Sequence, residues 1–262
     1  MDTFNLGGRI ALVTGAGQGI GRQIALHLAS HGAGGVVVND YVLARAEAVA
    51  QEIESAGGRA FAVQADVTDH AAVREMVRTS AEALGPIGVL VNNAGNFGAN
   101  PHPDVERPFW ETGPEVWAGT IGVNLHGVIN CVSAVVPGMI ERAAPGRIIT
   151  VISDAARYGD AGMEIYAGAK AGAAGFMRSV ARTMGRYQVT ANCISISLTD
   201  TPQMAEVLAD ETLRKKVLSN YIVRRVGRPE DVANMALFLA SDASSWISGQ
   251  TYPVNGGFTL AL

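Results

Sequence analysis

The stretch RIALVTGAGQGIG, Arg9 to Gly21, decides the architecture. Its first half is a short apolar run rich in β-branched residues, and its second half has a glycine at positions 15, 17, 19 and 21. A strand that runs into a glycine turn and then a helix lets backbone amides approach a phosphate at the helix N-terminus. The matching glycines are Gly15, Gly19 and Gly21, with Gln18 and Ile20 between them, a spacing that differs from G-x-G-x-x-G. Glycine also serves ordinary turns, so context carries the reading.

That context repeats along the chain. Gly35–Asn39, Ala60–Gln64, Ile87–Val91, Arg147–Ile152 and Val189–Ile194 are apolar without alternation, as expected of parallel strands covered on both faces, and a last strand is expected near Gln250–Val254. Helical stretches separate them at Gly19–His31, Val42–Ala56, Ala71–Leu84, Glu115–Ala143 and Ile165–Arg186, and Pro229 with Glu230 and Asp231 marks a further start near Arg228. The rhythm predicts an α/β doubly wound fold of the Rossmann type, with a mostly parallel seven-stranded sheet. No linker or repeat divides it, so residues 1–262 read as one dinucleotide-binding domain with two longer loops, 96–113 and 197–228. Long loops at the carboxyl ends of strands are where such folds place substrates.

Bulk composition narrows the function. The 262 residues are 48% hydrophobic and 17% charged with a net charge of −4, a globular balance with no basic excess for nucleic acid or anionic membranes. The two cysteines, Cys131 and Cys193, have no His or second Cys at metal spacing, and read as reduced, buried thiols. Residues 1–9 carry no signal-peptide pattern and no uninterrupted apolar stretch reads as a bilayer span, so a cytoplasmic protein is expected.

Asp40 ends the second strand, 25 residues after Gly15. A carboxylate there can accept from ribose hydroxyls and repel the extra phosphate of NADP, which favours NAD; it could also cap the helix starting at Val42. Gln18 and Tyr41 supply no cation, and Arg22 and Arg45 read as solvated helix residues. Tyr166 and Lys170 stand at i and i+4 on one helical face, with Ser153 ending a strand 13 residues before Tyr166. Asn124 lies in the long helical segment after the fourth strand.

Taken with Asp66-Val67, Asn92-Asn93-Ala94-Gly95 and Val254-Asn255-Gly256-Gly257, these elements resemble, in order and over nearly the whole chain, the short-chain dehydrogenase/reductase family. The resemblance implies Tyr166 as general acid/base, with its phenol lowered by Lys170 and oxidised nicotinamide. It implies Lys170 on the nicotinamide ribose, Ser153 polarising the substrate oxygen, and Asn124 holding a relay water. Asn93, Ala94 and Gly95 would line the cofactor, and Asp66 and Val67 would flank the adenine. For Asn92 and Asn93 a turn held by side-chain amides is an equal expectation.

The chain departs from the family in lacking a Pro-Gly pair after the sixth strand, so Thr199 and Thr201 both stand as candidates for the nicotinamide carboxamide. The 96–113 loop, with His102 and Trp110, is longer than usual for the family. Ser153-Asp154-Ala155-Ala156-Arg157 and the Tyr166 helix resemble members acting on alicyclic β-hydroxyacyl-CoA esters, such as 2-hydroxycyclohexanecarboxyl-CoA dehydrogenase, as well as 3-oxoacyl reductases. Arg157, Arg214, Lys215, Lys216, Arg224, Arg225 and Arg228 could then meet CoA phosphates, or could be a solvated charged face. The expected activity is NAD(H)-dependent interconversion of a secondary alcohol and a ketone on a small-molecule substrate. The alternatives are an NAD-linked sterol or simple alicyclic alcohol dehydrogenase and, from another class, a catalytically idle dinucleotide-binding scaffold. A homotetramer is implied, packing through the two longest helices and the small residues Ala169, Ala171, Gly172, Ala173, Ala174 and Gly175.

Overall fold

Successive strand residues point to opposite faces of a sheet, and in this chain both faces are covered. The computed structural model describes residues 3–97 and 101–260, with the side chains of Glu206, Val207 and Leu213 outside that description. The strands are β1 (Ile10–Val13), β2 (Gly35–Asp40), β3 (Ala60–Gln64), β4 (Ile87–Asn92), β5 (Gly146–Ser153), β6 (Val189–Ile196) and β7 (Thr251–Val254). Their order is β3-β2-β1-β4-β5-β6-β7, and every pairing is parallel. The expected sheet is therefore present, and it is parallel throughout.

Parallel neighbours need crossovers, which the helices supply: α1 (Gly19–Ser30), α2 (Leu43–Ser55), α3 (His70–Leu84), α4 (Pro114–Ile121), α5 (Gly127–Glu141), α6 (Ala155–Tyr158), α7 (Glu164–Met184), α8 (Ala205–Ala209), α9 (Glu211–Leu218) and α10 (Pro229–Ala240). One core cluster joins Leu12, Val37, Leu90 and Ile148 to Met76 of α3, Val135 of α5 and Met177 of α7. The other joins Val13, Val38, Val91 and Ile149 to Ile24 of α1, Ile53 of α2 and Leu237 of α10. Leu12 and Leu90 are fully buried, and each such side chain contributes about 1.5–3 kcal/mol. Between β1 and β4 the chain switches direction across the sheet, opening a crevice at the strands' carboxyl ends.

Three sequence expectations change. The segment Glu115–Ala143 is not one regular helix: a π turn, Gly122–His126, separates α4 from α5. The helical run Pro114–Glu141 is, by length and composition, apolar enough to cross a bilayer, contrary to the expectation that no stretch is. In the fold, its Val128, Cys131, Val132, Val135 and Met139 belong to the core. Half of the 197–228 loop is helical, because Pro202 opens a short 3-10 turn leading into α8, and α9 follows with Glu211 and Lys215 paired one turn apart. Residues 98–100 of the other loop lie outside the described residues. Cys131 and Cys193 are free and buried.

Candidate active site

The turn after β1 is built without room for side chains. Gly15 and Gly19 have φ of 59° and 55°, a region that glycine enters without steric cost. A Cβ on Gly21 would lie 2.2 Å from Gly15 O and 2.5 Å from Asn93 Nδ2, and one on Gly17 would lie 2.7 Å from Asp40 Oδ2. Asn93 fixes the turn from β4's end, its Nδ2 donating to Thr14 O and Gly15 O at 3.0 Å each. Thr14 Oγ1 accepts from Asn93 N and Ala94 N at 3.1 Å each. The side-chain-amide reading of this turn thus applies to Asn93, whereas Asn92 donates to Thr150 Oγ1 on the neighbouring strand.

Asp40 is 6% exposed at the end of β2, facing that turn. Its Oδ2 accepts from Gly17 N and its Oδ1 from Val42 N, both at 3.0 Å. Val42 is the N-cap of α2, so Asp40 does not cap the helix; it shapes the approach two residues earlier. Two of the four lone-pair positions of the carboxylate stay open. Arg22 is paired with Glu52 of α2. Arg45 is exposed, but its Cβ packs 2.5 Å from where a Gly17 Cβ would lie, closer to the turn than its sequence position suggested. Asp66 Oδ1 accepts from Thr68 N and Thr68 Oγ1, while Val67 is buried against Gly127 at the start of α5.

The polar groups past β4, β5 and α4 converge. Asn124 sits in the π turn, where Gly127 N donates to Gly122 O, and is fully buried. Its Nδ2 donates to Asn96 O at 2.6 Å and Thr120 O at 2.8 Å, while its Oδ1 is buried with no partner. Lys170, 3% exposed, donates from Nζ to Val151 O at 2.9 Å. A Cβ on Gly95 would come within 2.7 Å of both Asn124 Oδ1 and Lys170 Nζ, so the two groups meet over a bare backbone. Lys170 Nζ stands 5.9 Å from the Tyr166 ring centroid, and the Ser153 side chain lies near enough to the Tyr166 phenol to act on its protonation.

Burial dominates the protonation of both groups. It brings the Lys170 ammonium down to about 8 and pushes the Tyr166 phenol up, with Ser153 pulling it partly back. In the chain alone burial outweighs any lowering of the phenol, whereas the expected lowering was assigned to Lys170 acting together with oxidised nicotinamide.

Past β6 the two threonines separate. Thr201 stands against the phosphate turn, its Cγ2 3.4 Å from where a Gly19 Cβ would lie, whereas Thr199 is 5% exposed and donates to Ser197 O. A cavity of about 550 Å3 lies beyond Thr199 and Tyr221, beside α10, and none of Ser153, Tyr166, Lys170 or Asn124 lines it. Phe97, which sequence reading passed over, packs 6.0 Å from the Tyr166 ring. Trp110 is 70% exposed and meets Phe109. His102 accepts from Asp104 N within its own loop.

The bare backbone at Gly17, Gly21 and Gly95 and the unpartnered Asn124 oxygen fit a dinucleotide laid across the crevice. The comparisons agree. The family model described as Enoyl-(Acyl carrier protein) reductase matches residues 15–259. The (2S)-[(R)-hydroxy(phenyl)methyl]succinyl-CoA dehydrogenase subunit BbsD of Thauera aromatica is 38% identical over 96% of this chain and 97% of its own. A gluconate 5-dehydrogenase from Burkholderia cenocepacia, solved with NADP and tartrate, superposes with a TM-score of 0.90 at 32% identity, covering 100% of this chain and 99% of that one. A 7 alpha-hydroxysteroid dehydrogenase solved with NADH and 7-oxo glycochenodeoxycholic acid gives 0.89 at 34% identity, covering 98% and 96%. The chain belongs to the short-chain dehydrogenase/reductase family. It is an oxidoreductase of a family acting on hydroxyl and keto groups with nicotinamide dinucleotides.

Proposed function

We propose that this chain is an NAD(H)-dependent dehydrogenase interconverting a secondary alcohol and a ketone, on an alicyclic or β-hydroxyacyl-CoA substrate. The observation that carries the reading is the convergence of Ser153, Tyr166, Lys170 and Asn124 beside Gly95. The turn Gly15–Gly21, with Gln18, Gly19 and Ile20, would hold the pyrophosphate; Asp40 would hold the adenosine ribose; and Asp66 and Val67 would border the adenine. Asn93, Ala94 and Gly95 would line the cofactor, and Thr201, nearer the turn than Thr199, would meet the nicotinamide side. A bound nicotinamide supplies the hydride acceptor or donor.

In the oxidative direction Tyr166 Oη takes the hydroxyl proton, and Ser153 Oγ donates to the oxygen as it becomes a carbonyl. Lys170 would also bind the nicotinamide ribose hydroxyls, and with the dinucleotide in place its ammonium would stabilise the ionised phenol. The free lone pairs of Asn124 Oδ1 hold a water that returns the proton to solvent.

NAD is favoured because Asp40 presents a carboxylate where NADP would place a phosphate. Assays of alicyclic alcohols and their CoA thioesters with both dinucleotides test the reading. NAD(H) should give the higher kcat/KM, and Asp40→Ala should narrow the gap; a parent enzyme faster with NADP(H) would refute this cofactor assignment. BbsD is named for a CoA ester, which supports the thioester. Arg225 is engaged by Asp231, Arg157 by Asp154 and Lys215 by Glu211, leaving Arg214, Lys216, Arg224 and Arg228 as the exposed cations for remote phosphates.

A homotetramer packed through α4–α5 and α7 belongs to the same proposal. Ala169, Ala173 and Ala174 are buried within the subunit, so Ala171, Gly172 and Gly175 are the small residues left to meet a partner. Light scattering should give a four-chain mass at micromolar concentration, and a monomer there would count against it.

A further inference from the structure

Ser153 is followed by a carboxylate for which the hydride and proton steps have no use. Asp154 is 2% exposed, and a buried charge persists only when donors surround it. Ser195 Oγ of β6 donates to Oδ1 at 2.5 Å and Arg157 of α6 donates to the same oxygen at 3.2 Å. Asn255 Nδ2 and Thr259 Oγ1 donate to Oδ2 at 2.6 and 2.9 Å. Four donors fill the four acceptor positions. The partners also bind one another: Arg157 donates to Thr259 Oγ1 at 3.1 Å, and Asn255 Nδ2 to Thr259 O at 2.9 Å.

An acceptor at each of the two oxygens is required by this set of partners. The hydroxyls of Ser195 and Thr259 can turn to become acceptors, but the Arg157 guanidinium cannot, and the Asn255 amide could do so only by flipping out of its other bonds. Each strict donor faces a different oxygen, so an amide at position 154 would aim its own N–H at one of them.

What the cluster anchors is aromatic. Tyr158 ends α6, and its ring meets Phe258 edge-on at 5.5 Å. Phe258 lies 5.2 Å from Tyr221, whose hydroxyl accepts from Leu198 N at 3.1 Å. Two of these three rings, Tyr158 and Phe258, trace to Asp154. Its main-chain oxygen accepts from Arg157 N and Tyr158 N, and Phe258 lies between the anchored Asn255 and Thr259. Tyr158 is nevertheless 53% exposed, leaving an aromatic face open a few residues from Ser153.

We propose that Asp154 is a positioning residue that ties the segment Asn255–Thr259 to the end of β5 and so sets Tyr158 and Phe258, backed by the buried Tyr221, as the wall against which the bulky apolar part of the substrate packs. The wall rests on the dehydrogenase reading above; the tie does not. Dinucleotide binding should be indifferent to it, since the phosphate turn and Asp40 belong to β1 and β2.

Asp154→Asn sets donor against donor and can unfold the site, so Thr259 is the better handle. Thr259→Val removes the donor to Asp154 and the acceptor of Arg157 at nearly constant shape, and Thr259→Ser keeps both. In the valine variant amide hydrogen exchange across 255–260 should quicken at least about tenfold. KM for an alicyclic alcohol such as cyclohexanol should rise about fivefold with kcat within about twofold, while the Kd for NADH stays put. The serine variant should restore all three. Unchanged exchange, KM and NADH Kd rising together, or failure of the serine to restore would each overturn the proposal. A parent chain that oxidises no secondary alcohol would overturn the dehydrogenase reading and the wall with it, and exchange would then decide the tie alone.

Discussion

Tyr166→Phe should lower turnover about a hundredfold or more while leaving dinucleotide affinity unchanged. The ring stays, with its contact to Phe97 and its place beside Lys170, so packing is conserved and only the transferable proton is lost. Ser153 loses its hydroxyl neighbour, but it accepts from Ala155 N at 3.2 Å, which keeps its side chain in place. Fluorescence titration with NADH alongside steady-state kinetics separates the two effects. Near-parental turnover in this variant would remove Tyr166 from the chemistry, and a matching loss of NADH affinity would mean that the phenol is a cofactor anchor instead.

The second large effect is expected at Gly21→Ala. The new methyl would sit 2.2 Å from Gly15 O, a backbone atom of a turn already held by Asn93. No flexible side chain can yield there, so the helix start and the turn must part. Overpacking of this kind costs about 1–3 kcal/mol, read as a lower urea midpoint. Because the same atoms shape the phosphate turn, NADH affinity should drop more than about tenfold, each tenfold being 1.4 kcal/mol. Gly138→Ala is the control: its Cβ would meet nothing within 4 Å, and in α5 it should gain up to about 1 kcal/mol. Equal behaviour of the two variants would show that the turn has slack.

Much of this fold was legible because it is encoded locally. Runs such as Gly35–Asn39 and Ala60–Gln64 end within a residue of their strands, since an apolar run between glycine and charged turns leaves little choice of boundary. Ser153, Tyr166, Lys170 and Asn124 were legible as a familiar order of residues. What the sequence hid depends on distant partners. Arg157 read as a free cation, but its partners Asp154 and Thr259 come together only when β5 meets the C-terminal segment. Phe97 looked like one loop residue among several until α7 brought Tyr166 beside it. The buried state of Ala169, Ala173 and Ala174 was equally invisible, because small residues suit a core and an interface alike.

The break between α4 and α5 lay beyond periodicity for another reason. A π turn changes how many residues a turn holds rather than which residues they are. Gly122–His126 carries Asn124 with one oxygen left unspent, at the one place among the described residues where the helical ladder is widened by a residue. Deleting one residue there would close the ladder into a regular helix and leave Val128 and Val132 in phase with the core, while Asn124 loses the turn that holds it at the site. Part of this enzyme's competence is thus written as an addition to chain length. Point substitution can tune such a feature, but only an insertion can create it and only a deletion can erase it.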